Sequence, residues 1–342
     1  MNSKLRKIQG ILALKKLDGL ILIDPSNIFY LTGFRSDDSI LFVTRKNMTL
    51  AVRELDYPLA RRIAGCKLEK ITSLDDEKIM KKYGHIKKIG VEKNISYEKY
   101  KKLSLVFGGN FSFCDDIINS QRALKSAEEI KKIRSACLLA KKTMDFAVSV
   151  ALLGITEKEL VSDIVCFMRK NGADKEAFDT IAAFGSHTAC PHHIPTGRML
   201  KRNDIVYIDL GCAYEGYSSD LTNTLFLGKI NNYGRKIYDI VKEAHWRAIN
   251  AIKAGAVCRD IDFAARNFIV KKGFGRNFIH STGHGVGIDI HEGPAISPKS
   301  ATVLKENMVF TVEPGIYIPG RFGVRIEDTV LVTKKGCEVL TK

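Results

Sequence analysis

Apolar positions along this chain fall into two rhythms. In the first third, short unbroken apolar runs alternate with helically spaced segments. LDGLILID (17–24) reads as a buried strand, and PSNIFYLTGF then turns through Pro25, Ser26 and Asn27 into a short helix. SILFVT and MTLAV are β-rich runs separated by the turn-like RKN. LDYPLARRIAG is spaced as a helix, KKIGVE as a short strand and SYEKYKKLSLVFGG as another helix. Alternation of this kind predicts an α/β domain over residues 1–118.

Over residues 119–342 the rhythm changes. KSAEEIKKIRSACLLAKKTMDFAVSVALLG (125–154) keeps the spacing of a long amphipathic helix. Ser126 with Glu129 forms a capping box at its start, and Gly154 is placed to end it. Thr156 with Glu159 opens a second helix, TEKELVSDIVCFMRKNG, expected to end at Gly172. Two more helices are expected around IYDIVKEAHWRAINAIKAG and DIDFAARNFIVKKG. DTIAAFG, IVYIDLGCAY, LTNTLFLG, NMVFTVEPGIYI and GVRIEDTVLVT are strand-rich. The pattern predicts an α+β half whose antiparallel strands carry the acidic and histidine-rich motifs.

Length and composition fit that picture. A chain of 342 residues exceeds what one hydrophobic core usually spans. Its 45% hydrophobic and 27% charged content is that of an ordinary soluble globular protein. No run of about 18 apolar residues occurs, so no membrane span is expected. Between Met1 and Leu20 the short apolar stretch Gly10–Leu14 is broken by Lys15 and Lys16, which argues against a secretory signal. The net charge of +16 is spread through both halves and interleaved with acids, as in EEIKKIR (128–134). That is the pattern of a solvated surface rather than a nucleic-acid face, although it favours the approach of carboxylate-ended peptides. Eight widely spaced cysteines without a C-x-x-C pair read as reduced thiols packed as small core residues, hence a cytoplasmic protein.

The candidate chemistry lies in the second half. IDLGCAYEGYSSDLT (208–222) sets Asp209 and Asp220 on the two arms of an expected hairpin that turns at Tyr214–Gly216. VFTVEPGIYIPGRFGVRIEDTV (309–330) repeats the plan. Glu313 is expected on the outgoing strand and Glu327 on the return, with Pro319, Gly320 and Gly323 turning the chain. Taken singly, each of these acids is unremarkable, and Asp in particular is a common turn residue. Together they would repel one another in apolar β surroundings, unless a pair of divalent cations neutralises them. HSTGHGVGIDIHEGP (280–294) adds His280, His284 and His291 among glycines, and PHHIPTG (191–197) adds His192 and His193 in a Pro/Gly-bounded loop. One imidazole among four carboxylates suits Mn, Co, Fe or Zn better than Ca or Mg. His85, His187 and His245 have no acids in their motifs and read as surface or core histidines.

The order Asp, Asp, His, Glu, Glu in the settings IDLG, YSSDLT, GHGVG, VEPGIY and GVRIEDT resembles the pita-bread metallopeptidases: methionine aminopeptidase, aminopeptidase P and prolidase. DGLILIDPSNIFYLTGF (18–34) and the junction QRALKSAEEI (121–130) are similar to the members with a creatinase-type N-terminal domain. The resemblance therefore spans essentially the whole chain and implies two domains, 1–118 and 119–342. It implies that Asp209 chelates one metal, His284 and Glu313 the other, and that Asp220 and Glu327 bridge two ions, Mn²⁺ first among the candidates. It implies that His192, His280 and His291 contact substrate, that Arg325 lines the site, and that Glu313 shuttles a proton during hydrolysis of a bond preceding proline. The implied substrates are small Xaa-Pro peptides, and the implied assembly is a homodimer. Other readings are a metal-independent creatinase-like C–N hydrolase and a non-catalytic binding module. One departure stands out: Asn223 occupies a position where the family usually shows Arg, which removes a charge near Asp220.

Overall fold

The computed structural model describes residues 3–73, 76–109 and 111–342; Met1 and Asn2 of the opening stretch lie outside the described residues. The chain divides into two compact units, Met1–Arg122 and Ala123–Lys342.

The first unit runs α1 (Ser3–Leu14), β1 (Gly19–Leu22), α2 (Pro25–Thr32), β2 (Ser39–Thr44), β3 (Met48–Arg53), α3 (Tyr57–Ile63), β4 (Lys67–Ile71), α4 (Glu77–Tyr83), β5 (Ile89–Val91), α5 (Tyr97–Phe107), β6 (Phe111–Phe113) and α6 (Asp115–Ala123). Its strands form one sheet in the order β4-β3-β2-β1-β5-β6. Strand β2 pairs antiparallel with β1 and β3, while the outer pairs are parallel. Helix α2 starts where Asp24 accepts hydrogen bonds from Ser26 N and Asn27 N with Pro25 in the first turn, and it stops at Gly33 with φ 76°. The sequence pattern assigns no element to residues 3–14. Yet Leu5, Ile8 and Leu12 recur at helical spacing and are buried, a sparse apolar stripe among lysines and other polar residues. Helix α6 runs through residue 118 and ends with Arg122 donating to Asn27 Oδ1 at 2.8 Å.

The second unit holds α7 (Ala127–Val150), α8 (Glu157–Lys170), β7 (Lys175–Glu176), β8 (Ile181–Phe184), β9 (Ile205–Leu210), β10 (Cys212–Tyr214), β11 (Tyr217–Ser218) and β12 (Leu221–Phe226). It continues through α9 (Asn232–Ala251), α10 (Cys258–Lys271), β13 (Gly283–Gly285), β14 (Glu292–Ile296), β15 (Val309–Val312), β16 (Gly315–Ile318), β17 (Phe322–Arg325), β18 (Asp328–Val332) and β19 (Cys337–Val339). Both expected capping boxes are present, at Ser126/Glu129 and Thr156/Glu159. Helix α7 stops at Val150, short of Gly154, whose N–H instead binds Leu200 O at 3.0 Å.

Two cores sit in this unit. Leu139, Ala140, Met144, Leu160, Ile164 and Met168 of α7 and α8 pack on Val206, Ile208 and Leu210 of β9. Ile237, Val241, Ala244, Ile261 and Ala265 of α9 and α10 pack on Phe310, Val312, Val330 and Val332 of β15 and β18. Side chains alternate along a strand. With the even-numbered residues of β9 facing helices, Tyr207 and Asp209 face away from them. The same alternation turns Thr222 and Thr224 of β12, Thr311 of β15 and Arg325 of β17 away from the helices. One sheet face is therefore apolar and covered, while the other carries the chemistry.

The hairpins differ from expectation in two respects. Glu313 lies just beyond β15, Glu327 lies in the break between β17 and β18, and Asp220 lies just before β12, so only Asp209 is within a strand. Gly323 is inside β17, pressed against Thr188 O, and the turn is made by Pro319–Arg321 with Gly320 at φ 69°. Strand ends free the acids from strict alternation and let them converge. The cysteines also split: Cys114, Cys137, Cys212 and Cys258 are buried as expected, but Cys166 and Cys190 are exposed. Cys166 in IVCFM lies on the outer side of the amphipathic α8.

At Gly283 the strand β13 passes so close to β15 that an added Cβ would lie 1.8 Å from Thr311 O. Gly283→Ala is therefore expected to lower stability by about 1–3 kcal/mol through overpacking, read from the denaturant midpoint. An unchanged midpoint would show that the two strands can separate without cost.

Candidate metal centre

All the acids and histidines singled out in the motifs meet in one cavity of about 610 Å³. It is lined by Asp209, Asp220, His284, Glu313 and Glu327, by His192, His280 and His291, and by Arg325. Thr222 pairs with Asp209 across β9 and β12, which brings Asp220 and Asp209 to the same sheet face. Glu327 is fixed by its N–H to Thr222 O at 3.1 Å and by Thr222 Oγ1 donating to Glu327 Oε2 at 2.5 Å. Glu313 is fixed by its N–H to Thr282 O at 2.8 Å and by Thr311 Oγ1 to Oε1 at 3.1 Å. These threonines were missed in the sequence, although alternation from Asp220 and Glu313 points to Thr222 and Thr311 two positions away. The same alternation turns Asn223 to the opposite face, so it leaves the acidic cluster untouched.

The electrostatics favour a cation among the ionised acids. Asp209, Asp220 and Glu327 are each no more than 5% exposed. Burial, then the charges of Glu327, Asp209 and Glu313, push the Asp220 carboxyl well above the ordinary range. Glu327 is pushed up likewise, by burial and then by Glu313 and Asp209. Burial lowers the pKa of His284 and so keeps its ring neutral. Its Nδ1 faces Gly285 O at 3.2 Å and therefore carries the hydrogen. The Nε2 lone pair is then aimed at Asp220 Oδ2 (3.5 Å) and Glu313 Oε1 (3.4 Å). A lone pair facing two carboxylate oxygens is unfavourable unless a proton or a metal cation lies between them. Ligand atoms of Asp220, His284 and Glu327 all lie within 4.8 Å of one another. Asp209 Oδ1 and Glu327 Oε1 are buried without a hydrogen-bond partner among the described residues. Orphaned carboxylate oxygens, a neutral imidazole and a nitrogen–oxygen donor set fit divalent metal ions.

Around the acids stand the cationic and neutral groups. Arg325 pairs with Asp209 and lies 3.9 Å from Glu313 Oε2. Its guanidinium sits 4.9 Å from the Tyr207 ring centroid and donates to Thr222 Oγ1 at 3.1 Å. Burial lowers the pKa of His280 and His291 as well. His280 is held by Ser281 O at 2.8 Å and Tyr317 OH at 3.1 Å, and the His291 ring lies 4.2 Å from that of His284. Tyr317, buried so that its hydroxyl pKa rises to about 12, joins His280 to Arg325. Two histidines read as surface or core positions also have acidic partners: His187 faces Glu157 Oε1 at 2.8 Å, and the buried His245 faces Asp328 Oδ2 at 3.2 Å. Both partners are remote in sequence, which is why the local motifs did not show them.

A buried acidic cavity with one metal-type imidazole and further imidazoles at its edge defines the class: a metal-dependent hydrolase. Residues 131–334 match the model of metallopeptidase family M24 and residues 4–124 that of the creatinase/prolidase N-terminal domain. The chain is 39% identical to an Xaa-Pro dipeptidase of Pyrococcus horikoshii over 100% of its own length and 97% of the relative's. The crystal structure of a prolidase from P. horikoshii OT3 superposes with a TM-score of 0.96 at 38% identity, covering 100% of this chain and 98% of that one. An X-Pro aminopeptidase from Thermotoga maritima superposes with a TM-score of 0.88 at 34% identity, covering 96% of each chain. The chain belongs to metallopeptidase family M24. No described helix is long and apolar enough to cross a membrane.

Because the buried Asp220 and Glu327 titrate above an unfolded-state value near 4, metal-free protein is expected to lose stability as pH rises from there through their raised values. In chelator, Asp220→Asn should melt above wild type, by about 2–4 °C per kcal/mol of repulsion relieved, and the gap should widen from pH 5 to pH 8. A gap independent of pH would contradict this electrostatic account.

Proposed function

We propose that this chain hydrolyses the bond between an N-terminal residue and a following proline, with Xaa-Pro dipeptides as its principal substrates. The observation that carries the proposal is the arrangement of His284 Nε2 against Asp220 and Glu313, beside the orphaned oxygens of Asp209 and Glu327. Asp209 would hold one ion, His284 and Glu313 the other, with Asp220 and Glu327 shared. One imidazole among carboxylates favours Mn²⁺. Bound divalent ions supply Lewis-acid polarisation of the scissile carbonyl and lower the pKa of water.

The protein's own groups do the rest. Glu313, at the strand end nearest His284, takes the proton from the attacking water and passes it to the leaving nitrogen. His291 and His192 donate to the carbonyl oxygen as negative charge develops there. His280, oriented by Ser281 O and Tyr317 OH, completes the imidazole set. Arg325 holds Asp209 and balances the anionic field. A bond to proline is a tertiary amide without an N–H, so recognition rests on shape, and Phe178, Ile181, Ile194 and Ile290 supply an apolar wall to the cavity. Overall likeness to a chain named as a dipeptidase supports dipeptides over longer substrates.

With Mn²⁺ added, an Xaa-Pro dipeptide should be cleaved faster than an Xaa-Pro-Xaa tripeptide, and Met-Ala-Ser should be resistant. Asp220→Asn should lower kcat/KM more than about a hundredfold, since changes to outer-shell partners alone cost 10–100-fold. Preferential cleavage of Met-Ala-Ser, or full activity after metal removal, would overturn the proposal.

A further inference from the structure

Glu157 opens helix α8, yet it takes no part in capping it: Thr156 Oγ1 accepts from Glu159 N, and Glu159 Oε2 accepts from Thr156 N. Instead the Glu157 side chain is fully buried and accepts five hydrogen bonds from the end of β8 and the segment that follows it. Oε1 takes Phe184 N at 2.9 Å and His187 Nδ1 at 2.8 Å. Oε2 takes His193 Nε2 at 2.9 Å, Thr196 N at 2.9 Å and Thr196 Oγ1 at 2.7 Å. Burial opposes the charge of this carboxyl, but the donors of His193, Thr196 and Phe184 outweigh it and lower its pKa, keeping it ionised.

The segment so gathered carries His192, exposed on the rim of the catalytic cavity, with Pro191, Ile194 and Pro195 beside it. From Pro191 to Pro195 no backbone–backbone hydrogen bond occurs among the described residues, and two of these positions are prolines without an N–H. Apart from the weak bond from Tyr207 OH to Pro191 O at 3.5 Å, hydrogen bonding there comes from His193. A loop that lacks its own ladder is positioned by its anchors, and one carboxylate supplies anchors before, within and after it.

We propose that Glu157 is a positioning residue of the active site: it clamps the segment from Phe184 to Thr196 and thereby sets His192 against the substrate. The proposal rests on the peptidase reading above for its consequence, though not for the clamp itself. Glu157, His187 and His193 also have the types and spacing of a metal site. Both carboxylate oxygens, however, already receive N–H or O–H donors, and a cation there would have to displace them.

The test uses the full-length, Mn²⁺-loaded enzyme. Glu157→Gln keeps the shape but turns an NH₂ towards N–H and O–H donors. It should lower kcat/KM on an Xaa-Pro dipeptide by about 10–100-fold, as expected for misplacing a substrate-contacting group. In a His192→Ala background the same change should cost less than about threefold, because the group it positions is already gone. Amide exchange over residues 186–198 should speed up in Glu157→Gln, and Thr196→Val, a milder change, should shift both readouts in the same direction. Equal cost in both backgrounds, unchanged exchange, or a third bound ion lost with Glu157→Gln would overturn the clamp. If wild-type enzyme cleaves no Xaa-Pro dipeptide, the proposed function fails, while faster exchange in Glu157→Gln still supports the clamp.

Discussion

Four carboxylates and a neutral imidazole are brought into one largely buried cavity, an arrangement that is electrostatically unfavourable once the acids ionise. The Asp220 and Glu327 carboxyls are pushed well above their ordinary range, first by burial and then by one another's neighbours. Arg325 offers a single positive charge to the group, bound chiefly to Asp209. The remaining imbalance accounts for much of the local architecture: threonines at Thr222 and Thr311 that donate to the acids, and a histidine tautomer fixed by a backbone carbonyl. Divalent cations resolve the imbalance, and a site that must bind them is also one that can polarise a carbonyl.

Strand geometry is what makes such a cavity affordable within a stable unit. Two helix pairs each cover one face of a sheet, and the alternate residues of the same strands point the other way. The apolar face thus builds the core and the polar face builds the site, in register. Breaks in the ladder at Asp220, Glu313 and Glu327 add the convergence that a flat sheet could not give. Close passage of β13 against β15 at Gly283 brings His284 into the same space.

Much of this was legible in the sequence. The capping boxes at Ser126 and Thr156 marked the long helices because capping is local chemistry. The acidic hairpins were legible because spacing and turn residues fix which positions approach each other. What was missed depends on contacts between distant positions. The Glu157–His187–His193 group joins two separate stretches of the chain, and His245 finds Asp328 across the fold. Helix α1 is faint in the sequence because its start is basic and only Leu5, Ile8 and Leu12 mark its buried face. Asp220, Glu313 and Glu327 lie just outside strands, unlike Asp209, because convergence on a common point requires leaving the pleat.

The central claim is that the cavity is built around divalent cations, and calorimetric titration of metal-stripped protein with Mn²⁺ tests it most directly. The account requires about two ions per chain, with the stoichiometry reduced in Glu327→Gln. Binding of no ions, or a stoichiometry unaffected by that substitution, would contradict it.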